Sequence, residues 1–286
     1  MSASRNVLEV LRAGETYLRE REVESPRLCM ELILAHVLRL PRLQIYLQFD
    51  RPLVDDELGA LRELVRRRGL QEPLAYVLGE VGFHDVTLFA DRRALVPRPE
   101  TEGLVERALA RAQQGGRVLD LGTGSGAIAI ALAHARADLH VTAVDASAEA
   151  LDLARANVAR QGVQDRVELC LGDWFAAVPG RRFDLLVSNP PYVDPTRPEL
   201  LADDVRRHEP ALALFTAPGD PASAYRQILA GVEAGLTPGA WLLFETGVEA
   251  AEPTLALLRA QAFLSEVELD RDLAGLPRYL SARMQT

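Results

Sequence analysis

From Val7 to about Leu70 the apolar residues recur at helical spacing: Val7, Leu8 and Leu11, then Tyr17 and Leu18, then Leu28, Leu32, Leu34, Val37 and Leu38, then Leu58, Leu61, Leu64 and Val65. Ser25-Pro26 and Asp55 mark helix starts and Pro41 and Pro52 interruptions, so residues 1–72 are expected to form a bundle of four or five short helices. The period then changes. Residues 73–79, Val81-Gly82-Phe83 and Val86-Thr87-Leu88-Phe89 are β-rich pieces with glycines and His84-Asp85 between them, and they predict a β-hairpin linker over residues 73–99. From Arg117 strand and helix patterns alternate. Residues 117–121, 140–145, 167–171 and 183–187 read as strands and 127–137 as a small-residue helix. The strand at 183–187 is almost continuously apolar, as a parallel strand buried on both faces should be. Residues 221–234 and 253–262 read as helices, 240–245 as a buried strand, and 263–269 with 278–282 as a closing strand pair. This alternation predicts an α/β domain over residues 100–286.

At 286 residues the chain has material for two unequal domains, and 48% hydrophobic with 26% charged content is that of a soluble globular protein. The formal net charge is −9; residues 1–90 hold 12 Arg against 14 Asp and Glu, net −2, so −7 falls to the remainder. Neither part has the basic excess of a general nucleic-acid binder, and no direct nucleic-acid partner is expected. All 32 basic residues are Arg, which we ascribe to base-composition bias. Cys29 and Cys170 stand far apart without metal-ligand spacing, in keeping with a reducing, cytoplasmic setting. The first twenty residues are polar and amphipathic rather than a signal peptide, and no run approaches the ~20 apolar residues of a membrane span. His36, His84, His134, His140 and His208 are scattered, so no metal site is expected.

Chemistry enters at two places. After the strand at 117–121 comes Gly122-Thr123-Gly124-Ser125-Gly126, then a helix, then a strand ending in Asp145, an acid 23 positions after Gly122. The layout offers backbone N–H groups at a turn and a carboxylate placed for a ribose diol. Nicotinamide dinucleotides and S-adenosylmethionine both fit it. The Gly-x-Gly-x-Gly spacing departs from the pyrophosphate fingerprint, and Asp120 would welcome an ammonium and repel a pyrophosphate. Gly172-Asp173-Trp174 ends the next strand, where the acid can accept from an adenine amine while the indole stacks on the ring. S-adenosylmethionine is therefore the expected cofactor.

The second place is Asn189-Pro190-Pro191-Tyr192, a stiff turn that closes the strand at 183–187. The prolines remove two backbone donors and keep the loop out of helix, which leaves a cluster of acceptors beside an aromatic ring. The Asn189 side-chain oxygen and the Pro190 carbonyl can each accept an N–H of a planar amino group, and Tyr192 can pack on its plane. Arg98, between Pro97 and Pro99, is placed to line a cleft. Arg66-Arg67-Arg68 reads as a solvated helix end. The Pro- and Asp-rich excursion over residues 194–221, which carries Glu209-Pro210, is expected to shape the substrate entrance.

Together, the stretch 120–126, Asp145, 172–174 and 189–192 resemble the class I methyltransferases that modify planar amino nitrogens. Residues 73–79, Pro97-Arg98-Pro99-Glu100-Thr101-Glu102, His208-Glu209-Pro210-Ala211-Leu212 and Arg271-Asp272-x-x-Gly275-x-x-Arg278 narrow the match. They resemble the peptide chain release factor glutamine methyltransferases, the PrmC/HemK family. The resemblance implies a Rossmann-like seven-stranded mixed sheet with a small N-terminal helical domain that docks the release factor, and methylation of the glutamine amide in the Gly-Gly-Gln motif. It implies that Gly122, Thr123, Gly124, Ser125, Gly126, Asp145, Asp173 and Trp174 bind S-adenosylmethionine. It places the substrate glutamine on Asn189, Pro190, Pro191 and Tyr192, with Asn189 touching both ligands. Phe83-His84-Asp85 and Glu245-Thr246-Gly247-Val248-Glu249 depart from the family pattern. A monomer is expected. The alternatives are a glutamine of a ribosomal protein, a base amine in DNA or RNA, or a nucleotide-binding partner-recognition module without catalysis.

Overall fold

Asn6 opens the first helix with a reciprocal cap: its side-chain oxygen accepts from the Glu9 amide at 2.9 Å, and the Glu9 carboxylate accepts from the Asn6 amide at 3.1 Å. The computed structural model describes residues 5–197, 199 and 201–286, so residues 1–4 of the N-terminal segment and 198 and 200 of the excursion lie outside it. It divides into two units, Met1–Gly79 with Asp203–His208, and Glu80–Ala202 with Glu209–Thr286. The first unit contains α1 (Val7–Arg19), α2 (Pro26–Leu38), a 3-10 turn (Arg42–Leu47), α3 (Asp55–Gly69), α4 (Leu74–Leu78) and α8 (Asp203–His208). Leu11, Leu18, Met30, Ile33, Leu34, Ile45 and Leu61 form its core. Glu31 is buried among them, accepting from Arg27 at 3.1 Å, from Arg42 at 3.0 Å and from the Tyr46 hydroxyl.

Two expectations change here. Residues 74–78 form a helix rather than a β piece, capped by Gly79 at φ 77°. Five apolar residues in a row carry no period, and the turn chemistry of Pro73 and Gly79 decides the outcome. The arginine run is solvated at Arg66 but not at Arg67 and Arg68. Arg68 is 5% exposed and donates to the Glu72 carbonyl, while Arg67 donates to Glu72 and to the carbonyls of Tyr76 and Val77, which staples α3 to α4.

The second unit opens with the hairpin β1 (Glu80–Phe83) and β2 (Val86–Phe89), followed by α5 (Pro99–Arg111). Then come β3 (Arg117–Leu121), α6 (Ala127–Ala135), β4 (His140–Asp145), α7 (Ala148–Gln161), β5 (Val167–Leu171) and β6 (Phe183–Ser188). The short α9 (Ala211–Leu214) precedes α10 (Ser223–Gly235), β7 (Leu236–Glu245), α11 (Val248–Arg259), β8 (Leu264–Arg271) and β9 (Pro277–Met284). The sheet has the expected seven strands, in the order β5-β4-β3-β6-β7-β9-β8, parallel except that β9 runs antiparallel to both neighbours. Alternate residues of each central strand serve two cores: Val118, Val141, Leu185 and Leu243 on one face, and Leu119, Leu186, Leu242 and Phe244 on the other. Both faces being covered explains the continuous apolar runs. Among the described residues no helix is long and apolar enough to cross a membrane.

Candidate active site

The chain reverses its direction of winding between β3 and β6, which lie side by side, and ligands of open α/β sheets bind beyond the strand ends at such a point. A cavity of about 310 Å³ sits there, lined by Gly122 and Gly124 after β3, Asp145 at the end of β4, Asp173 and Trp174 after β5, and Asn189 and Pro191 after β6. Thr123, Ser125, Gly126, Pro190, Tyr192 and Arg98 do not line it. Thr123, Ser125 and Pro190 are buried, and Gly126 caps α6 at φ 83°.

The glycine turn spends its donors on the protein. The Gly122 and Thr123 amides donate to the Val144 carbonyl at 2.9 and 3.0 Å, the Gly126 amide to the Thr123 carbonyl at 2.9 Å, and the Gly124 amide to Asp145 at 2.8 Å. A diphosphate would need these groups free, so the turn is a wall for a ligand and not an anion cradle. Asp145 also accepts from the Ser147 amide at 2.8 Å, through its other oxygen. Burial raises its carboxyl above the ordinary range, against the pull of the Ser147, Gly124 and Ala146 amides.

Asp120 has a different place from the one expected. It is fully buried beneath the turn, where its carboxylate accepts from the Thr123 hydroxyl at 2.6 Å, and it does not reach the cavity. Burial pushes it up to about 7; the Thr123 hydroxyl and the Ala129 amide offset part of this, and nearby Asp145 adds to it. Between about pH 4, where the unfolded carboxyl ionises, and about 7, the folded chain therefore holds a proton that the unfolded chain has lost. The resulting stability is complete below that window and lost as pH rises through it, at ~1.4 kcal/mol per unit. Asp120→Asn cannot ionise, so its melting temperature relative to the parent should climb from pH 4 to 7 and then level off. A pH-independent difference would contradict this assignment.

Trp174 stands at φ 42° on a 3-10 turn (Trp174–Ala177), with its indole N–H donating to the Gln227 side-chain oxygen at 2.9 Å. Gln227 and Asn157 were not visible in the sequence. Asn157 accepts from the Phe89 amide at 2.6 Å and donates to the carbonyls of Phe89 and Ser125 at 3.2 and 2.9 Å, tying the hairpin to the glycine turn.

At the other side of the cavity the Asn189 amide nitrogen donates to the Thr101 hydroxyl at 3.3 Å. Planarity of the carboxamide then turns its oxygen away from Thr101. Tyr192 lies on Gly247, where an added Cβ would come within 2.7 Å of the ring, and burial pushes its phenol up to about 12. Arg98 pairs with Glu209 at 2.6 Å, and the same carboxylate accepts from the Val96 amide at 3.0 Å. Arg98 thus fastens the excursion instead of lining the cleft. Residues Pro210, Leu212 and Ala213, just beyond Glu209, do line the cavity.

Residues 9–79 match the PrmC N-terminal domain and residues 100–204 the Methyltransferase small domain. A release factor glutamine methyltransferase of Chlorobaculum tepidum is 40% identical, over 98% of this chain and 98% of its own. This chain belongs to the release factor glutamine methyltransferase family. Relatives of that name from Geobacter sulfurreducens, 39% identical over 97% of this chain and 96% of theirs, and from Salmonella typhimurium, 40% identical over 92% and 94%, agree. The α/β unit is accordingly a methyltransferase domain, and its mixed sheet of seven strands is the class I arrangement.

Proposed function

We propose that this family member methylates the side-chain amide nitrogen of the glutamine in the Gly-Gly-Gln motif of peptide chain release factors, using S-adenosylmethionine in the cytoplasm. The observation that carries the reading is the Asn189 amide, tied by its nitrogen to Thr101 and set in the wall of a cavity that it shares with Gly122, Gly124 and Asp145. S-adenosylmethionine, when bound, supplies a methyl group made electrophilic by its sulfonium. The residues present suit that group: Asp145 presents a carboxylate on the cavity wall for a ribose diol, Trp174 offers a ring face, and four of the five amides of the glycine turn are already engaged and closed to a diphosphate. Gly122 and Gly124 keep the wall flat, at φ 75° and 57°, a left-handed backbone that glycine adopts without strain.

The chain's own contribution to the reaction is orientation. An amide nitrogen is weakly nucleophilic because its lone pair is delocalised. The acceptor that lines the cavity, Asn189 Oδ1, holds the glutamine nitrogen by an N–H with its lone pair facing outward and favours the pyramidal form, while buried Pro190 stiffens the turn. Pro191 shapes the wall beside it, and Tyr192, packed on Gly247, supports the turn. The N-terminal helices over residues 1–72 are the docking part, joined through residues 73–99 to a transferase domain over 100–286.

Incubation with labelled S-adenosylmethionine, purified release factors, ribosomal proteins and nucleic acid, followed by mass mapping, tests this. The expected result is one methyl group on the glutamine of Gly-Gly-Gln. A label on a ribosomal protein or a base amine, or binding without transfer, would overturn the proposal.

A further inference from the structure

We infer that Thr101 and Glu245 are positioning residues that set which end of the Asn189 carboxamide faces the cavity. The inference rests on the function proposed above and deepens it. A carboxamide has an acceptor at one end and donors at the other, in nearly the same shape, so packing alone does not choose between them. Only the oxygen end can receive an N–H from a substrate amide. With the group reversed, two amino groups would oppose each other.

The choice is made behind the site. Thr101, in the first turn of α5, is 4% exposed, and its hydroxyl accepts from Asn189 Nδ2 at 3.3 Å. A hydroxyl also donates, and by itself it would tolerate either orientation. Glu245, the last residue of β7, is 1% exposed with its Oε2 unpartnered among the described residues, and the Thr101 hydroxyl and the Asn189 amide are close enough to favour its charged form. A carboxylate accepts only. A Thr101 hydroxyl turned toward this unpartnered acceptor leaves its lone pairs to Asn189 Nδ2, and so gives the row one direction, from Asn189 toward Glu245.

The backbones of both supporting residues are pinned. The Tyr225 hydroxyl donates to the Glu245 carbonyl at 2.8 Å, the Tyr279 hydroxyl to the Glu100 carbonyl at 2.7 Å, and Arg278 to the Thr246 carbonyl at 3.1 Å. The charged and titratable groups facing the Glu245 carboxyl are Arg278 of β9, which holds it down, Glu100 of α5, which pushes it up, and the phenols of Tyr192, Tyr225 and Tyr279. All three phenols are raised by burial and stay neutral around neutral pH. Burial dominates and brings Glu245 up to about 7. Once protonated, Glu245 is a donor, the Thr101 hydroxyl is released to turn toward the Asn189 oxygen, and the fixed direction is lost.

The test measures kcat and KM for a release factor, and cofactor affinity by calorimetry, from pH 5.5 to 9 on the parent, Thr101→Val, Thr101→Ser and Glu245→Gln. Thr101→Val keeps the shape and loses the hydroxyl, so kcat should fall about 10- to 100-fold while cofactor affinity changes less than about twofold. Thr101→Ser should restore most of the loss. The parent's kcat should decline as pH falls through about 7, and Glu245→Gln should lose that limb. A Thr101→Val enzyme with the parent's kcat, or an unchanged limb in Glu245→Gln, overturns the inference and leaves the proposed function standing. Should Thr101→Val fail to fold, Thr101→Ser and the Glu245→Gln profile decide alone. A parent that methylates no release factor overturns the proposed function, and this inference with it.

Discussion

Asn189→Ala is expected to lower turnover with a release factor about 100- to 1,000-fold, the scale on which removal of one preorganised hydrogen-bonding partner of a transition state is felt. Alanine removes the oxygen that accepts from the substrate amide and leaves the Thr101 hydroxyl without its donor. The walls made by Gly122, Gly124, Asp145 and Trp174 are untouched, so cofactor affinity should stay within about threefold. Initial rates with purified release factor and calorimetric titration of cofactor separate the two quantities. Undiminished turnover would remove Asn189 from the reaction, and a parallel collapse of cofactor affinity would assign it to cofactor binding alone.

Glu209→Ala should produce the largest loss of stability among substitutions near the site. The Glu209 side chain is 1% exposed, and alanine leaves both the Val96 amide and the Arg98 guanidinium unpaired. Breaking a buried pair by removing one member costs about 3–5 kcal/mol; Arg98 is about a third exposed, and solvent recovers part of this, so about 2–3 kcal/mol is expected. That corresponds to a fall of roughly 4–10 °C in the melting transition. Pro210, Leu212 and Ala213 would lose their anchor, so cofactor affinity should weaken as well. Glu209→Gln, which can still accept from Val96, should fall between the two. An unchanged melting temperature in Glu209→Ala would show that the pair contributes nothing net.

How far the sequence could be read follows from where the controlling interactions lie. Strands β3, β4 and β6 were legible because both their faces are buried, and Asn189, Asp145 and the glycine turn because each lies at the end of a strand. The segment 74–78 has no period to read, and Pro253 looked like a helix start but lies inside α11, whose first residue is Val248. The partners that organise the site lie far along the chain: Thr101 is 88 residues from Asn189, Glu209 is 111 from Arg98, and Asn157 is 68 from Phe89. The stretch 97–102 carried the signal, since Arg98, Glu100 and Thr101 all reach such distant groups. Its pattern placed Arg98 beside a cleft and narrowed the family resemblance, but it named none of these partners.

The position of β9 has a consequence for synthesis of the chain. It follows β8 in sequence yet lies between β7 and β8, and among the described residues β8 pairs with no other strand. While a ribosome is still extending the chain, β7 has an open edge and β8 has nothing to join until residues 277–284 clear the exit tunnel. Throughout that interval an apolar strand edge is bare, which is when a nascent chain most needs shelter from its neighbours. Glu245, at the tip of β7, reaches its final surroundings only when Arg278 and Tyr279 arrive beside it.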